Sequence, residues 1–287
     1  MNFTLALLFA CSSIAHQSTL QEELIQQSVS QGYHEDFIDL VELIYGKGFL
    51  SQGGEASIER MIAGTSIEEK KVLDIGSGLG GPALYLAEHY LTDITGLEPQ
   101  RWLFERALDS LNCKKEELKG SIRFVLMDHP ASLSQFDDEA FDLVISKESI
   151  LHVPLEIKKA FFSEIARVLK PGGEIVIMDW MRTRFSYSQK TQKMMEMDGV
   201  AYHLLKPEEY RTLLEETGFS TIRMENISSE TASYSQDNIE KIQKLGSAIA
   251  EKYGKEVYEY SIESWGYQRD AFATEELITG IFRATHP

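Results

Sequence analysis

A glycine-rich turn is the segment of this sequence best suited to do chemistry. It reads GSGLGGP at positions 76–82 and follows the apolar run KVLDI. Because glycine has no side chain, a ligand can lie against bare backbone there, at the carboxyl edge of a sheet, where α/β proteins bind their ligands. We predict that a ligand contacts Gly76, Ser77, Gly78 and Gly80.

Three carboxylates are associated with successive apolar runs and should meet at the same edge. Asp74 stands inside the first run, Glu98 ends the second, 22 residues after Gly76, and Asp128 follows the third. An acid at Glu98 can accept hydrogen bonds from ribose hydroxyls, and one at Asp128 would lie beside an adenine amine. Asp74 suits a cationic aminoacyl group better than a pyrophosphate. The ordered set favours S-adenosylmethionine as the cofactor.

The same glycine spacing leaves two alternatives open. Gly76, Gly78 and Gly81 also satisfy G-x-G-x-x-G, which is typical of nicotinamide and flavin proteins. An NAD(P)-dependent oxidoreductase is therefore one alternative, although no Tyr-x-x-x-Lys set for hydride chemistry is evident. A non-catalytic protein that retains the cofactor is the other.

The elements around these residues predict an α/β fold. Five short apolar runs, KVLDI, DITGL, IRFVLM, FDLVIS and EIVIMDW, alternate with helical segments at 81–90, 100–111 and 155–169. Parallel strands need such crossover connections. Two further strands, TIRMENI and LITGIFRAT, close the pattern. We predict a Rossmann-like seven-stranded, mostly parallel sheet with helices on both faces and a helical N-terminal lid.

The chain divides into two parts. Residues 1–64 are predicted to form an N-terminal leader and the helical lid. Residues 20–62 look helical because apolar residues recur at three- and four-residue spacing, a pattern that Gly46 and Gly48 then break. Residues 65–287 are predicted to form the catalytic domain. Its acceptor-side insertions are expected at about 181–205 and 228–272.

Charge and cysteine content restrict the partners. The chain holds 28 Lys and Arg against 45 Asp and Glu, a net charge of −17. Such a protein repels phosphate backbones and anionic lipids, so we expect a small-molecule acceptor, no nucleic acid and no stable membrane association. Cys11 and Cys113 match no zinc spacing, so no metal is expected.

The first residues, MNFTLALLFACSSIA, resemble a secretory leader in their apolar run and small residues. No Lys or Arg precedes Lys47, so the positive segment that begins such leaders is missing. We expect a cytoplasmic location, with a cleaved leader as the alternative.

The motif DIGSGLGG, followed by Glu98, Asp128, FDLVIS and LKPGGEIVIMDW, resembles the class I S-adenosylmethionine-dependent methyltransferases over about residues 71–180. The resemblance implies the cofactor and the seven-stranded sheet, and makes residues 65–287 a methyltransferase domain. It does not imply the acceptor.

Three segments, GYHEDFIDLVELIYGKGFLSQGG, SKESILHVPLE and LKPGGEIVIMDW, look like those of phosphoethanolamine N-methyltransferases. The resemblance implies a catalytic pair, Tyr33 on the lid and His152 after the fourth strand, with Glu148 at the acidic position four residues earlier. His152 is also the best placed base on its position alone. Ser51 matches a cofactor contact of the family, and we place Lys147 with it among the cofactor-binding residues.

The sequence departs from this family on the acceptor side. Trp180 replaces a tyrosine, and two phosphate partners of the family align loosely with Glu196 and Val200. Tyr202 and Arg283 remain, so Trp180, Tyr202 and Arg283 are the predicted substrate-binding residues. We expect methyl transfer to a small molecule, at an amine nitrogen of a phosphoethanolamine-like or glycine/sarcosine-like acceptor. Four aromatic residues could form a cage for a methylated ammonium: Trp180, Tyr187, Tyr202 and Trp265.

Overall fold

A computed structural model of the chain describes residues 35–128 and 131–287. The predicted leader and Tyr33 lie outside these residues.

A single seven-stranded sheet forms the centre of the molecule. Its strands are β1 Lys71–Ile75, β2 Asp93–Glu98, β3 Ser121–Leu126, β4 Phe141–Lys147, β5 Leu169–Arg182, β6 Ser220–Asn226 and β7 Leu277–Thr285. They lie in the order β3-β2-β1-β4-β5-β7-β6. The first five strands are parallel, whereas β7 runs antiparallel to both β5 and β6. The predicted fold is confirmed.

The described helices connect and cover this sheet. They are α1 Glu35–Tyr45, α2 Gly54–Ile62, α3 Gly81–His89, α4 Arg101–Lys114, α5 Leu155–Val168, α6 Gln189–Asp198, α7 Pro207–Glu216, α8 Ser228–Lys244, α9 Gly246–Tyr253 and α10 Lys255–Ala273. A short 3-10 turn, Ile150–His152, follows β4. The crossover helices α3, α4 and α5 occupy the segments where helical spacing predicts them.

The central strands are apolar on both sides because both faces of the sheet are covered. Val72 and Leu143 pack into one core cluster, and Leu73 and Val144 into another. Successive side chains of a strand point to opposite faces, so strands buried on both faces show no alternation of apolar and polar residues.

The inserted helices form a second layer with the first helix. Leu40 and Ile44 of α1 pack with Ile239 and Ile242 of α8 and with Trp265 of α10. We refer to α1, α6, α8, α9 and α10 as the helical cover. No helix among the described residues is long and apolar enough to cross a membrane.

Candidate functional site

The glycine turn is tied to the neighbouring strand and pressed against the segment after β4. The amides of Gly76 and Ser77 donate to the carbonyl of Leu97 at 2.8 and 3.0 Å. Gly76 has φ +75°, and a Cβ there would lie 1.8 Å from Oγ of Ser149. Both the backbone conformation and the lack of space therefore require glycine at this position.

Two buried carboxylates flank the turn. Glu98 accepts hydrogen bonds from the amides of Gly78 and Gln100, each at 2.9 Å. Burial nevertheless raises its pKa to about 7. Burial, and then the charge of Glu98, raise the pKa of Asp74 to about 7 as well. Oδ2 of Asp74 and Oγ of Ser77 are buried without a hydrogen-bond partner among the described residues. Ser77 belongs to the wall of the cavity described below, whereas Asp74, a predicted cofactor residue, does not line it.

The segment between α1 and α2 closes onto the turn. The amide of Gly81 donates to the carbonyl of Gly48 at 2.9 Å. Nζ of Lys147, at the end of β4, donates to Oγ of Ser51 and, at 3.1 Å, to the carbonyl of Gln52. Burial lowers the pKa of Lys147, an effect that the nearby Glu148 carboxylate opposes. Lys147 thus holds the segment between α1 and α2, which we call the lid segment, against the end of β4.

A cavity of about 440 Å³ extends from the ends of β1 and β2 to the ends of β4 and β5, beneath the helical cover. The structure brings most of the predicted site residues to its wall. They are Ser51, Gly76, Ser77, Gly78, Glu98, Lys147, Glu148, His152, Trp180 and Tyr202.

His152 has a defined tautomer at this wall. Its Nδ1 lies 2.8 Å from the carbonyl oxygen of Ala201. A carbonyl can only accept, so Nδ1 carries the proton and Nε2 keeps its lone pair. Burial lowers the pKa of the imidazole to about 4, outweighing the contact with Ala201. The ring is therefore uncharged at neutral pH.

Aromatic rings continue the wall beside His152. Tyr202 stacks between His152 and Trp180, with ring centroids 5.5 Å apart on each side. Trp265 also lines the cavity, and its Nε1 donates to the hydroxyl of Tyr45 at 2.9 Å. Tyr187 packs in the same apolar cluster as Trp180 but does not line the cavity. Three of the four expected cage residues therefore line the cavity.

Asp198 is a cavity residue that the sequence analysis missed. It accepts a hydrogen bond from the hydroxyl of Tyr202 at 2.8 Å. Burial raises its pKa to about 6, although hydrogen bonds from Tyr202 and Ser264 lower it. Asp198 ends α6, in a segment whose apolar spacing is weak, and the Gly199 that follows was the available signal for a helix end.

Lys158 is a second missed residue, and it supports the wall from behind. Its buried Nζ donates to the carbonyls of Ile150 and His203 at 2.8 and 3.0 Å. The amide of His203 in turn donates to the carbonyl of Leu151 at 2.7 Å. Lys158 therefore joins the turn that carries His152 to the segment that carries Tyr202. The sequence signal for this role was the position of Lys158 on the apolar face of the helix Leu155–Val168.

Several predicted residues lie elsewhere. Arg283 of β7 donates to the carbonyls of Met61 and Ala63 at 3.1 and 3.0 Å, away from the cavity wall, so its predicted role as a phosphate ligand is corrected to a contact with α2. Gly80 does not line the cavity either, and a Cβ there would meet the ring of Phe124 at 2.5 Å. Its lack of a side chain serves helix packing.

Asp128 is exposed just after β3 and is not part of the cavity wall. Its neighbour Met127 lines the cavity instead. Of the two positions aligned with phosphate partners, Val200 lines the cavity and Glu196 is exposed outside it. Within residues 35–128 and 131–287, no group of three or more His, Cys, Asp or Glu could hold a metal ion.

Comparison with known proteins gives the class. Residues 73–177 match a family model described as "Methyltransferase domain". Together with the sheet order and the glycine turn, this match shows that the chain contains a class I S-adenosylmethionine-dependent methyltransferase domain. The class and the cofactor predicted from the sequence are confirmed.

Individual relatives point to one group within this class. The chain is 27% identical over 246 residues to phosphoethanolamine N-methyltransferase 1 of Zea mays, a match covering 85% of this chain and 47% of the maize protein. It thus spans about half the length of the curated relatives it matches first.

Two solved structures share the fold. Phosphoethanolamine N-methyltransferase 2 of Haemonchus contortus, in complex with phosphomonomethylethanolamine and S-adenosylhomocysteine, matches with TM-score 0.80 and 22% identity, covering 93% of this chain and 60% of that one. A putative sarcosine dimethylglycine methyltransferase of Galdieria sulphuraria matches with TM-score 0.71 and 19% identity, covering 88% and 97%.

Proposed function

We propose that this protein transfers a methyl group from S-adenosylmethionine to the nitrogen of a small-molecule amine. One observation carries the proposal. A single cavity joins a glycine turn flanked by carboxylates to a wall that holds an uncharged imidazole and stacked aromatic rings.

The glycine-turn side suits the cofactor. Gly76, Ser77 and Gly78 line the cavity, and Glu98 can accept hydrogen bonds from ribose hydroxyls. Asp74 does not line the cavity, and we assign its buried carboxylate an electrostatic attraction for the cationic aminoacyl end rather than a direct contact. We assign Ser51 and Lys147 an indirect part, because they hold the lid segment closed over this side.

The opposite side suits an amine acceptor. An amine that arrives as an ammonium first gives a proton to a base, which frees the nitrogen lone pair. That lone pair then takes the methyl group while the carbon–sulfur bond breaks with its electron pair left on sulfur. Nε2 of His152 has a free lone pair to receive that proton. The carboxylate of Asp198, with a pKa of about 6, is closer to the pH at which a general base works best. The protein otherwise aligns the reactants and excludes water.

The relatives support nitrogen as the acceptor atom. The names of the maize, Haemonchus and Galdieria proteins all denote enzymes that methylate amines. Asp74 argues against the oxidoreductase alternative, since a carboxylate beside the turn would repel a pyrophosphate. We also infer a cytoplasmic location, because the cofactor is made and kept there, and binding to neither nucleic acid nor membranes, because of the net charge of −17.

Calorimetry and a labelled-methyl assay test the proposal. The full chain should bind S-adenosylmethionine and S-adenosylhomocysteine but not NAD(P), and should label at least one amine from a panel that includes phosphoethanolamine, glycine, sarcosine and their unphosphorylated or decarboxylated analogues. Binding without transfer to any amine would favour the non-catalytic alternative. Binding of NAD(P) in place of S-adenosylmethionine would favour the alternative that the protein is an oxidoreductase.

A further inference from the structure

The charged side chains that line the cavity are mostly acidic. Among the described residues they are Glu98, Glu148, Asp198 and Lys147. The wall contains no arginine within that part of the chain. Since His152 is uncharged at neutral pH, Lys147 is the single cation that faces this cavity from the described residues.

The remaining residues cannot add a lysine or arginine. The sequence has neither before Lys47, and residues 129–130 are His and Pro. Residues 1–34 and 129–130 therefore add no lysine or arginine to those that the structure describes.

Lys147 is not available to an anionic acceptor. Its buried Nζ donates to Ser51 and Gln52 and lies 3.3 Å from Oε1 of Glu148. An ammonium has three donors, and these three contacts use all of them. A phosphate could recruit Lys147 by breaking the contacts that hold the lid segment, which would open the cavity.

We propose that the methyl acceptor is a cationic aliphatic amine that carries neither a phosphate nor a carboxylate group. This inference rests on the proposed function and narrows its substrate class. Glu148 and Asp198 attract a cation, and the faces of Trp180 and Tyr202 stabilise an alkylammonium group. An anionic group on the acceptor side of this cavity would lose its hydration without gaining an available lysine or arginine as a partner.

Three substrates with the same dimethylamino nitrogen test this inference. They are N,N-dimethylethanolamine, its phosphate ester, and N,N-dimethylglycine, which has a carboxylate in place of the hydroxymethyl group. With the full chain and saturating S-adenosylmethionine, we expect kcat/KM for dimethylethanolamine to exceed that of both anionic analogues by at least about a hundredfold.

Two variants examine the physical cause. Asp198→Asn should lower kcat/KM for dimethylethanolamine at least about tenfold and reduce the preference over its phosphate ester. Val200→Arg places a guanidinium in the cavity wall and should shift the preference toward the ester. The matched control is Glu196→Gln, which removes an exposed charge from α6, the helix that ends at Asp198. It should leave kcat/KM and the preference for dimethylethanolamine unchanged.

The outcomes separate the two proposals. Equal or better methylation of the phosphorylated or carboxylated amine overturns the inference and leaves amine methylation in place. Cofactor binding with no methylation of any amine overturns both. A preference for dimethylethanolamine that Asp198→Asn and Glu196→Gln reduce equally also overturns the inference, since the effect would then not depend on the cavity charge.

Discussion

Nδ1 of His152 lies 2.8 Å from the carbonyl oxygen of Ala201, a residue 49 positions later in the chain. This contact joins the turn after β4 to the segment after α6. It fixes the tautomer of the imidazole and directs the unprotonated Nε2 away from the backbone. Two segments that are remote in sequence thus determine the state of one candidate base.

The first prediction concerns this imidazole. His152→Ala should lower kcat about a hundredfold while changing the Kd for S-adenosylmethionine by no more than about twofold, because His152 lies on the acceptor side. Single-turnover transfer and calorimetry measure the two quantities. The control is His89→Ala, since the exposed His89 also has Nδ1 2.8 Å from a carbonyl, that of Tyr85. An unchanged kcat for His152→Ala would show that the residue is structural.

The second prediction concerns the glycine turn. Gly76→Ala should destabilise the protein and abolish cofactor binding, because its Cβ would lie 1.8 Å from Oγ of Ser149. Gly64→Ala is the matched control, with φ +79° against +75° and no atom within 4 Å of the added Cβ. Both substitutions place a Cβ on a left-handed backbone, which costs about 1–2 kcal/mol. Only Gly76→Ala also creates a steric clash.

Adding Ser149→Gly to Gly76→Ala removes the clashing atoms and should recover part of the thermal stability. Equal melting temperatures for Gly76→Ala and Gly64→Ala would mean that the turn is looser than the structure shows.

The third prediction is a pH dependence that arises from Asp74. Its folded-state pKa, about 7, is raised from 3.8, so its contribution to stability is present below about pH 4 and is lost as pH rises through 7. The cofactor-free protein should therefore lose stability between pH 5 and pH 8. Asp74→Asn should reduce this loss by at least about 1 kcal/mol in urea unfolding.

The same substitution should have the opposite effect on the cofactor. S-adenosylmethionine affinity of the unaltered protein should rise from pH 6 to pH 8 as Asp74 and Glu98 ionise, and Asp74→Asn should weaken binding most at pH 8. Identical affinities at pH 8 with and without the substitution would remove Asp74 from the proposed site.

The fourth prediction concerns the buried Lys158. Lys158→Met should destabilise the protein by about 3 kcal/mol, because the carbonyls of Ile150 and His203 lose a charged donor and the buried Asp179 loses its compensating charge. Lys159→Met removes an exposed ion pair with Glu216 and should cost less than about 1 kcal/mol. Denaturant unfolding compares the two neighbours. Equal losses in the free energy of unfolding would show that the buried contacts of Lys158 stabilise the protein no more than the exposed ion pair of Lys159.

Lys158→Met should also reduce kcat more than it raises KM, since it acts by positioning His152 and Tyr202 rather than by touching the acceptor. A loss confined to KM would contradict this role.

Much of the cofactor side was predictable from local pattern. The run KVLDI followed by GSGLGGP specifies a buried strand and a turn that needs bare backbone, and both are present as β1 and the turn before α3. Glu98 could be placed because it ends an apolar run, and strand ends meet at one edge of a parallel sheet. Asp128 shows the limit of that reasoning, since it also follows an apolar run but is exposed and outside the cavity wall.

The sequence by itself determined the parallel sheet, the glycine turn and the class of cofactor, because each depends on residues close together along the chain. Tertiary structure alone decided the acceptor side. Ala201 and Tyr202 reach His152, and Asp198 reaches Tyr202, through packing of the helical cover. Arg283 lies elsewhere because the pairing of β7 with β5 turns it toward α2. No local periodicity encodes such contacts, since they arise only when distant segments are buried together.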